Sequence, residues 1–265
     1  VHVVYGLMGL KTHAKLSLVI RDEATGLRRY CHLGTGNYNP KTARAYEDLG
    51  ILSADPELTE DLTKLFNQLS GFAPQSTYSR LLVAPSTLRS GIFERIDREI
   101  ENHKAGKPAG IQLKLNSILD EGFVEKIYQA SQAGVKIDLL VRGICAVQPG
   151  IKGVSENITV KSVLGRFLEH SRIFHFVNGG NNEYWIGSAD LMGRNLDRRV
   201  ESLVRIDKKE HQNRLQEILD LGLSAESSSW QLSGIEWTRV SKNSKGEALL
   251  DVHSAFIHTY SRERQ

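Results

Sequence analysis

The chain has 265 residues, enough for one large domain or two ordinary ones, each with a core of its own. Its 34 lysines and arginines against 31 aspartates and glutamates leave a net charge of +3, too little for a protein that coats nucleic acid but compatible with local cation clusters around an anionic substrate. Cys31 and Cys145 lack metal-ligand or redox spacing, no apolar run approaches the ~18 residues of a membrane span, and "VHVVYGLMGL" lacks a signal peptide's basic region and cleavage site, so a cytoplasmic protein with two buried thiols is expected.

The opening residues read as the end of a strand with no turn before it, which predicts a first domain truncated at its N-terminus. Leu16 to Arg21 and Leu27 to Leu33 are two short β-branched and aliphatic runs separated by "DEATG", a hairpin turn by composition. "GTGNYNPKTA" is a loop, and Asp55 with Pro56 supplies an N-cap and a first-turn proline for a helix to about Leu69. "SGFAPQSTYS", residues 70 to 79, reads as a linker. Strand and helix then alternate: "RLLVAP", a helix from Leu88 to His103, "IQLKLN", a helix from Asp120 to Ala133, and "VKIDLLVRG". That order implies parallel strands joined by helical crossovers and a sheet covered by helices. "ITVKSV", "SRIFHFV" and "YWIGS" are further strands, Lys208 to Leu221 a closing helix, and the tail a hairpin about Asn243 to Gly246.

One unit occurs twice. His13 is followed two residues later by Lys15, then strand, turn, strand and Gly34-Thr35-Gly36-Asn37. His170 is followed two later by Arg172, then strand, turn, strand and Gly187-Ser188-Ala189-Asp190. Asp48 and Glu201 lie at equal distances beyond Asn37 and Asp190, and a helix closes both units. In a strand, residues two apart share a face, so each imidazole projects together with a cation. The two small-residue loops offer hydroxyls and backbone N–H groups to an anionic oxygen. Packed face to face, the copies bring two histidines and two cations to one pocket. His2, His32, His103, His211, His253 and His258 lack such company and read as structural or solvated; His175, on the face opposite His170, reads as core.

His-x-Lys, repeated and followed by a Gly-Thr/Ser-Gly-Asn-type loop, resembles the phospholipase D superfamily, whose paired motifs meet so that one histidine attacks phosphorus. The superfamily motif also has an aspartate five residues after the lysine, where this chain has Ile20 and Val177. Histidines without those aspartates are the pattern of polyphosphate kinase. "GLKTHAKLSLVIR", "YCHLGTGNYNPKTARAYEDLGILSAD", "LLVAPSTLRSGIFERIDREI" and "FLEHSRIFHF" look like the C-terminal half of that family. The resemblance weakens after about Ser224.

The resemblance implies an α/β fold of two phospholipase D-like domains, each a mixed β-sheet flanked by helices: residues 1–75, truncated, and 76–228, followed by a tail at 229–265. It implies reversible transfer of the terminal phosphate of ATP to inorganic polyphosphate. His13 matches the histidine that becomes phosphorylated and His170 a second histidine acting, protonated, as general acid. Tyr46 and Arg142 match nucleotide-contacting positions, and Lys15 and Arg172 are the remaining candidate cations. Lys11, Lys41, Arg44, Arg194, Arg198 and Arg199 lie near the motifs as possible guides for a polyanion. Magnesium is expected with ATP or ADP, its protein contacts lying outside these residues, with no nucleic acid partner, a homo-oligomer at full length, peripheral membrane contact left open, and little turnover by these residues alone. Two alternatives stay open: a phosphodiesterase of the phospholipase D type, and a non-catalytic polyanion-binding module.

Overall fold

The computed structural model describes residues 2–71 and 76–262. The first third contains β1 (Lys11–Thr12), β2 (Lys15–Glu23), β3 (Gly26–Gly34), β4 (Tyr46–Glu47), β5 (Gly50–Ser53) and α1 (Pro56–Leu69). The expected alternation follows as β6 (Leu81–Ala84), α2 (Leu88–Lys104), β7 (Ile111–Leu115), α3 (Glu121–Gln132) and β8 (Ile137–Val141). Then come β9 (Ile158–Ser162), β10 (Leu168–Glu169), β11 (Ile173–Phe176), β12 (Glu183–Gly187), α4 (Gly193–Asp197), β13 (Arg199–Ile206) and α5 (Lys209–Leu223). The tail forms β14 (Ser229–Ser233), β15 (Glu236–Val240) and α6 (Val252–Arg262).

The helices start and stop where local chemistry directs. Asp55 accepts from the Leu58 N–H at the start of α1, and Pro56 occupies the first turn, where its missing N–H has no partner to lose. Leu58, Leu62 and Leu65 put one apolar stripe on α1, and Leu88, Ile92, Ile96 and Ile100 put another on α2. Asp120 caps α3, and Gly134, at φ +97°, takes the left-handed conformation that ends it.

A ten-stranded sheet runs β1-β13-β12-β11-β7-β8-β9-β14-β15, with β6 also paired to β13. Its centre, β7, β8 and β9, is parallel, and β11, β12 and β13 are antiparallel. Alternation sends Phe174, Phe176 and Trp185 to one face, against α2 and α3, and Ile173, Tyr184 and Ile186 to the other. β2, β3 and β5 form a separate antiparallel sheet, and β4 pairs with β10 alone.

One expectation changes. The first unit has no core of its own: Leu33, Leu62 and Leu65 pack in one apolar cluster with Val83, Ile186, Val204 and Leu219 of the second. Its small sheet and α1 expose too little apolar surface to each other, so both bury it against the large sheet. The tail also holds an earlier hairpin that the sequence reading lacks, β14 to β15 around Gly234, where β14 pairs with β9 and extends the sheet. Asn243 to Gly246 form the turn expected there, the Gly246 N–H donating to the Asn243 carbonyl, and beyond it Lys242 and Ala248 bridge antiparallel, with the Asn243 and Leu249 N–H groups donating to the Glu247 and Ser241 carbonyls; α6 follows. The expected linker falls partly on 72–75, outside the described residues; at its far end Asp61 of α1 accepts from the Ser79 and Arg80 N–H groups at 2.8 and 2.6 Å.

Candidate functional site

The two units trade strands. β1, just before His13, pairs with β13 of the second unit, Thr12 opposite Val200, and the His13 N–H donates to the Val200 carbonyl at 2.9 Å. β10, just before His170, pairs with β4 of the first unit, Glu169 opposite Glu47, and the His170 N–H donates to the Glu47 carbonyl at 2.9 Å. Both histidines therefore sit just past a two-residue parallel ladder made with the other unit, in equivalent registers. Glu201 and Asp48 occupy equivalent places, as their sequence spacing predicts.

The loops repeat as well, but not for the purpose their composition suggests. Thr35 exchanges hydrogen bonds with Leu49, its Oγ1 accepting from the Leu49 N–H at 2.8 Å, and Ser188 Oγ accepts from the Ser202 N–H, the same distance along the chain. Both side chains are fully buried. These hydroxyls pin the returning strand, and are occupied by backbone rather than open to a ligand. Gly187 permits that contact, because a Cβ there would collide with the Ser202 carbonyl.

His13 is held from both sides. Its Nδ1 lies 2.8 and 2.9 Å from the Glu201 carboxylate oxygens, and its Nε2 lies 2.8 Å from Lys15 Nζ. The carboxylate accepts only, so Nδ1 carries the proton; the ammonium donates only, so Nε2 presents its lone pair. Glu201 is fully buried and also accepts from Asn195 Nδ2 at 3.0 Å. A neutral imidazole with a free Nε2 lone pair, backed by a carboxylate at Nδ1, has the form of an activated nucleophile. Burial draws the Lys15 ammonium down to about 8 despite the opposing pull of Glu201.

His170 is held differently. Arg172 Nη1 donates to its carbonyl at 2.7 Å and to Nδ1 at 3.2 Å, while the Tyr46 ring stacks on the imidazole with centroids 4.6 Å apart. Asp48, the counterpart of Glu201, makes no such contact; its carboxylate lies against Gly36. Burial first, then the charges of Arg172, Lys15 and Arg142, drive the His170 pKa down to about 3. In the ligand-free site these effects favour the neutral ring over the protonated one expected from the sequence.

Arg172 is 3% exposed and pairs with Asp190 at 2.9 Å, and Asp190 also accepts from the Asn116 N–H at 2.7 Å. Asn116 Oδ1 accepts from Arg142 Nε at 2.8 Å, which places Arg142 at the end of β8 beside the same cluster. Tyr46, Arg142, His170 and Arg172 are joined by stacking and hydrogen bonds, and Lys15, bonded to His13, lies near enough for its charge to act on His170 and Arg172. Lys11, Lys41, Arg44, Arg194 and Arg198 are exposed around it, and Arg199 lies 3.8 Å from Glu201. His175 stacks on Tyr184 and bonds to Gln112, the core role expected of it.

Residue patterns missed Asn116, Glu47, Lys114, Glu169 and His253, which surround the site. One signal was present: "IQLKLN" puts a lysine and an asparagine into a strand otherwise fit for complete burial. Among the described residues, no group of three or more histidine, cysteine, aspartate and glutamate side chains is placed to hold a metal ion. The donors present do not form a cage for magnesium, and Glu201 is already engaged by His13, Asn195 and Arg199.

Comparison with known proteins follows this geometry. Residues 1–75 match the sequence model of polyphosphate kinase C-terminal domain 1, and residues 81–249 that of polyphosphate kinase C-terminal domain 2. A polyphosphate kinase of Streptomyces coelicolor is 56% identical over 264 residues, covering 99% of this chain and 35% of the relative. One of Mycobacterium leprae is 50% identical, covering 98% and 35%. The chain spans about a third of the length of these relatives. The crystal structure of polyphosphate kinase from Porphyromonas gingivalis superposes with a TM-score of 0.90 at 35% identity, over 98% of this chain and 40% of that one. Phosphatidylserine synthase of Haemophilus influenzae Rd KW20 shares the fold alone, with a TM-score of 0.52 at 10% identity over 89% of this chain and 67% of that one. The α/β fold read from the sequence is the fold of this chain, shared over 98% of it with that polyphosphate kinase.

Proposed function

Because this chain belongs to the polyphosphate kinase family, we propose that it carries the phosphate-transferring centre of an enzyme that moves the terminal phosphate of ATP to inorganic polyphosphate and back, through a phosphohistidine at His13. The observation that carries this reading is the meeting of two imidazoles and three cations across the joint of the repeat, with His13 Nε2 proton-free and its Nδ1 backed by Glu201.

In the resting site Lys15 covers the Nε2 lone pair. An entering phosphate draws the ammonium onto its oxygens and frees the nitrogen. His13 Nε2 then forms a bond to the terminal phosphorus as the bond from phosphorus to the bridging oxygen breaks, and the electron pair leaves on that oxygen. Glu201 stabilises the positive imidazole. Lys15, Arg142 and Arg172 balance charge on the phosphoryl oxygens, the main requirement of a loose transition state. The second transfer reverses these events with the end of a polyphosphate chain as acceptor.

His170 enters this scheme as a neutral ring whose N–H donates to the leaving or incoming oxygen. Bound phosphates offset the charges of Arg172, Lys15 and Arg142, raising its basicity toward the range in which it exchanges a full proton. Tyr46 borders a largely apolar cavity of about 610 Å³ shared with Phe167, Phe256 and Tyr260, which suits a nucleoside base. Magnesium would arrive on the nucleotide's phosphates, as part of the substrate.

The test is incubation of the full-length protein with ATP labelled in its terminal phosphate. The expected result is an acid-labile label on the protein that chases into polymer and is absent in His13→Ala. Label surviving acid, polymer formed by His13→Ala, or alcohol released from a phosphodiester without polymer would each sink this reading.

A further inference from the structure

Behind His170 lies a second buried cluster that the scheme above does not use. Lys114, in the middle of β7 and 3% exposed, places Nζ 2.8 Å from Glu47 Oε2 and 2.6 Å from Glu169 Oε2, and donates to Ser171 Oγ at 2.6 Å. Ser171 in turn donates to Glu47 from its hydroxyl and, at 3.3 Å, from its N–H. His253 of α6 lies 2.6 Å from Glu169 Oε1. Its Nδ1 accepts from the Phe167 N–H at 3.2 Å, so its Nε2 carries the proton and donates to Glu169. Burial alone would lower the Lys114 ammonium, but Glu47 and Glu169 outweigh it and hold the group above its usual value. Burial likewise pushes Glu169 up, and Lys114 and His253 pull it down to about 2.

Every member touches the site at one remove. Glu169 and Ser171 are the residues on either side of His170, and Glu47 follows Tyr46. A buried ionic cluster is a poor source of stability, since apolar side chains of similar volume serve as well, so its value lies in what it orients. Here that is the β4–β10 ladder, whose two ends carry the stacked Tyr46 and His170 rings.

We propose that Lys114 and His253 are positioning residues for phosphate transfer: acting through Glu169, Glu47 and Ser171, they hold His170 against Tyr46 and make α6 part of the machinery. This rests on the reading of His170 given above.

The test compares His253→Phe with His253→Gln in the full-length protein, because the glutamine amide retains the donor to Glu169 and phenylalanine retains only the bulk. Both are expected to fold. His253→Phe should lose roughly 10- to 100-fold in kcat with KM for polyphosphate unchanged, His253→Gln should recover most of it, and Lys114→Met should behave as His253→Phe does. Crystal structures of the variants should show the ring separation of 4.6 Å lost with phenylalanine and kept with glutamine. Wild-type kcat in folded His253→Phe, or equal losses in the two variants, would overturn the proposal. If the unsubstituted protein forms neither acid-labile phosphate nor polymer, the transfer reading itself fails, and the ring separation still decides whether the brace exists.

Discussion

At the scale of single residues, Lys15 and His170 are displaced from their ordinary protonation in ways that activity and stability can read. Lys15 loses its proton near pH 8 in the free site, first because it is buried. The pH profile of kcat/KM, which reports the free enzyme, should therefore fall above about that value, while the limb in kcat lies higher because bound phosphate favours the ammonium. Lys15→Arg should remove the limb from the accessible range at a reduced rate; an unmoved limb would assign it elsewhere. His170 has a folded pKa of about 3 against an ordinary value of 6.5. Between those values the unfolded chain binds a proton that the folded ring refuses, so this group's contribution makes the protein less stable as pH falls through that window. His170→Gln should flatten the decline of the thermal midpoint below about pH 6.5 relative to wild type. The His-x-Lys and His-x-Arg spacings were enough to find these side chains. The spacings could not give the tautomer of His13, which depends on Glu201, distant in sequence, or show Arg172 folding back over His170.

Among the elements, helices were the most legible, because caps and apolar stripes are local: Asp55-Pro56 starts α1, and Gly134 closes α3. Pairing was less so. β1, β4 and β10 have two residues each, too short for any alternation to register, yet they are the ladders that set both histidines in place. The tail shows the same limit, since the reversal at Asn243 to Gly246 is legible in its residues but the β14–β15 hairpin, which depends on the edge of β9, is not. Asp61, an unremarked helix residue, holds the chain as it enters the second unit. Asp61→Ala removes two hydrogen bonds from backbone N–H groups to a carboxylate and should cost on the order of 2 kcal/mol in equilibrium unfolding. A change indistinguishable from zero would mean that water replaces both bonds.

For the whole molecule, the joint between the units is a shared core, not a contact between finished domains. Leu62 of α1, fully buried, packs in the cluster that also holds Ile186 and Val204. Leu62→Ala should therefore destabilise by roughly 2 to 5 kcal/mol, and probes in the two units should report one coincident unfolding transition. Separate transitions would restore the picture of two independent domains. The same joint makes the site a property of both units together: Glu201 of the second backs His13 of the first, and Tyr46 of the first stacks on His170 of the second.

The amino-acid sequence by itself determined the repeat, the four long helices α1, α2, α3 and α5, the two histidine–cation pairs and the family, because each is written in spacings of a few residues or in contiguous segments. Only the tertiary structure decided that the units share a core and exchange strands, that His170 is neutral in the free site, and that a lysine of β7 and a histidine of α6 lie behind it. Those outcomes depend on burial and on charges brought together across the fold. Coulombic and desolvation effects act through space, and no local pattern in a chain records which distant residues will share one buried volume.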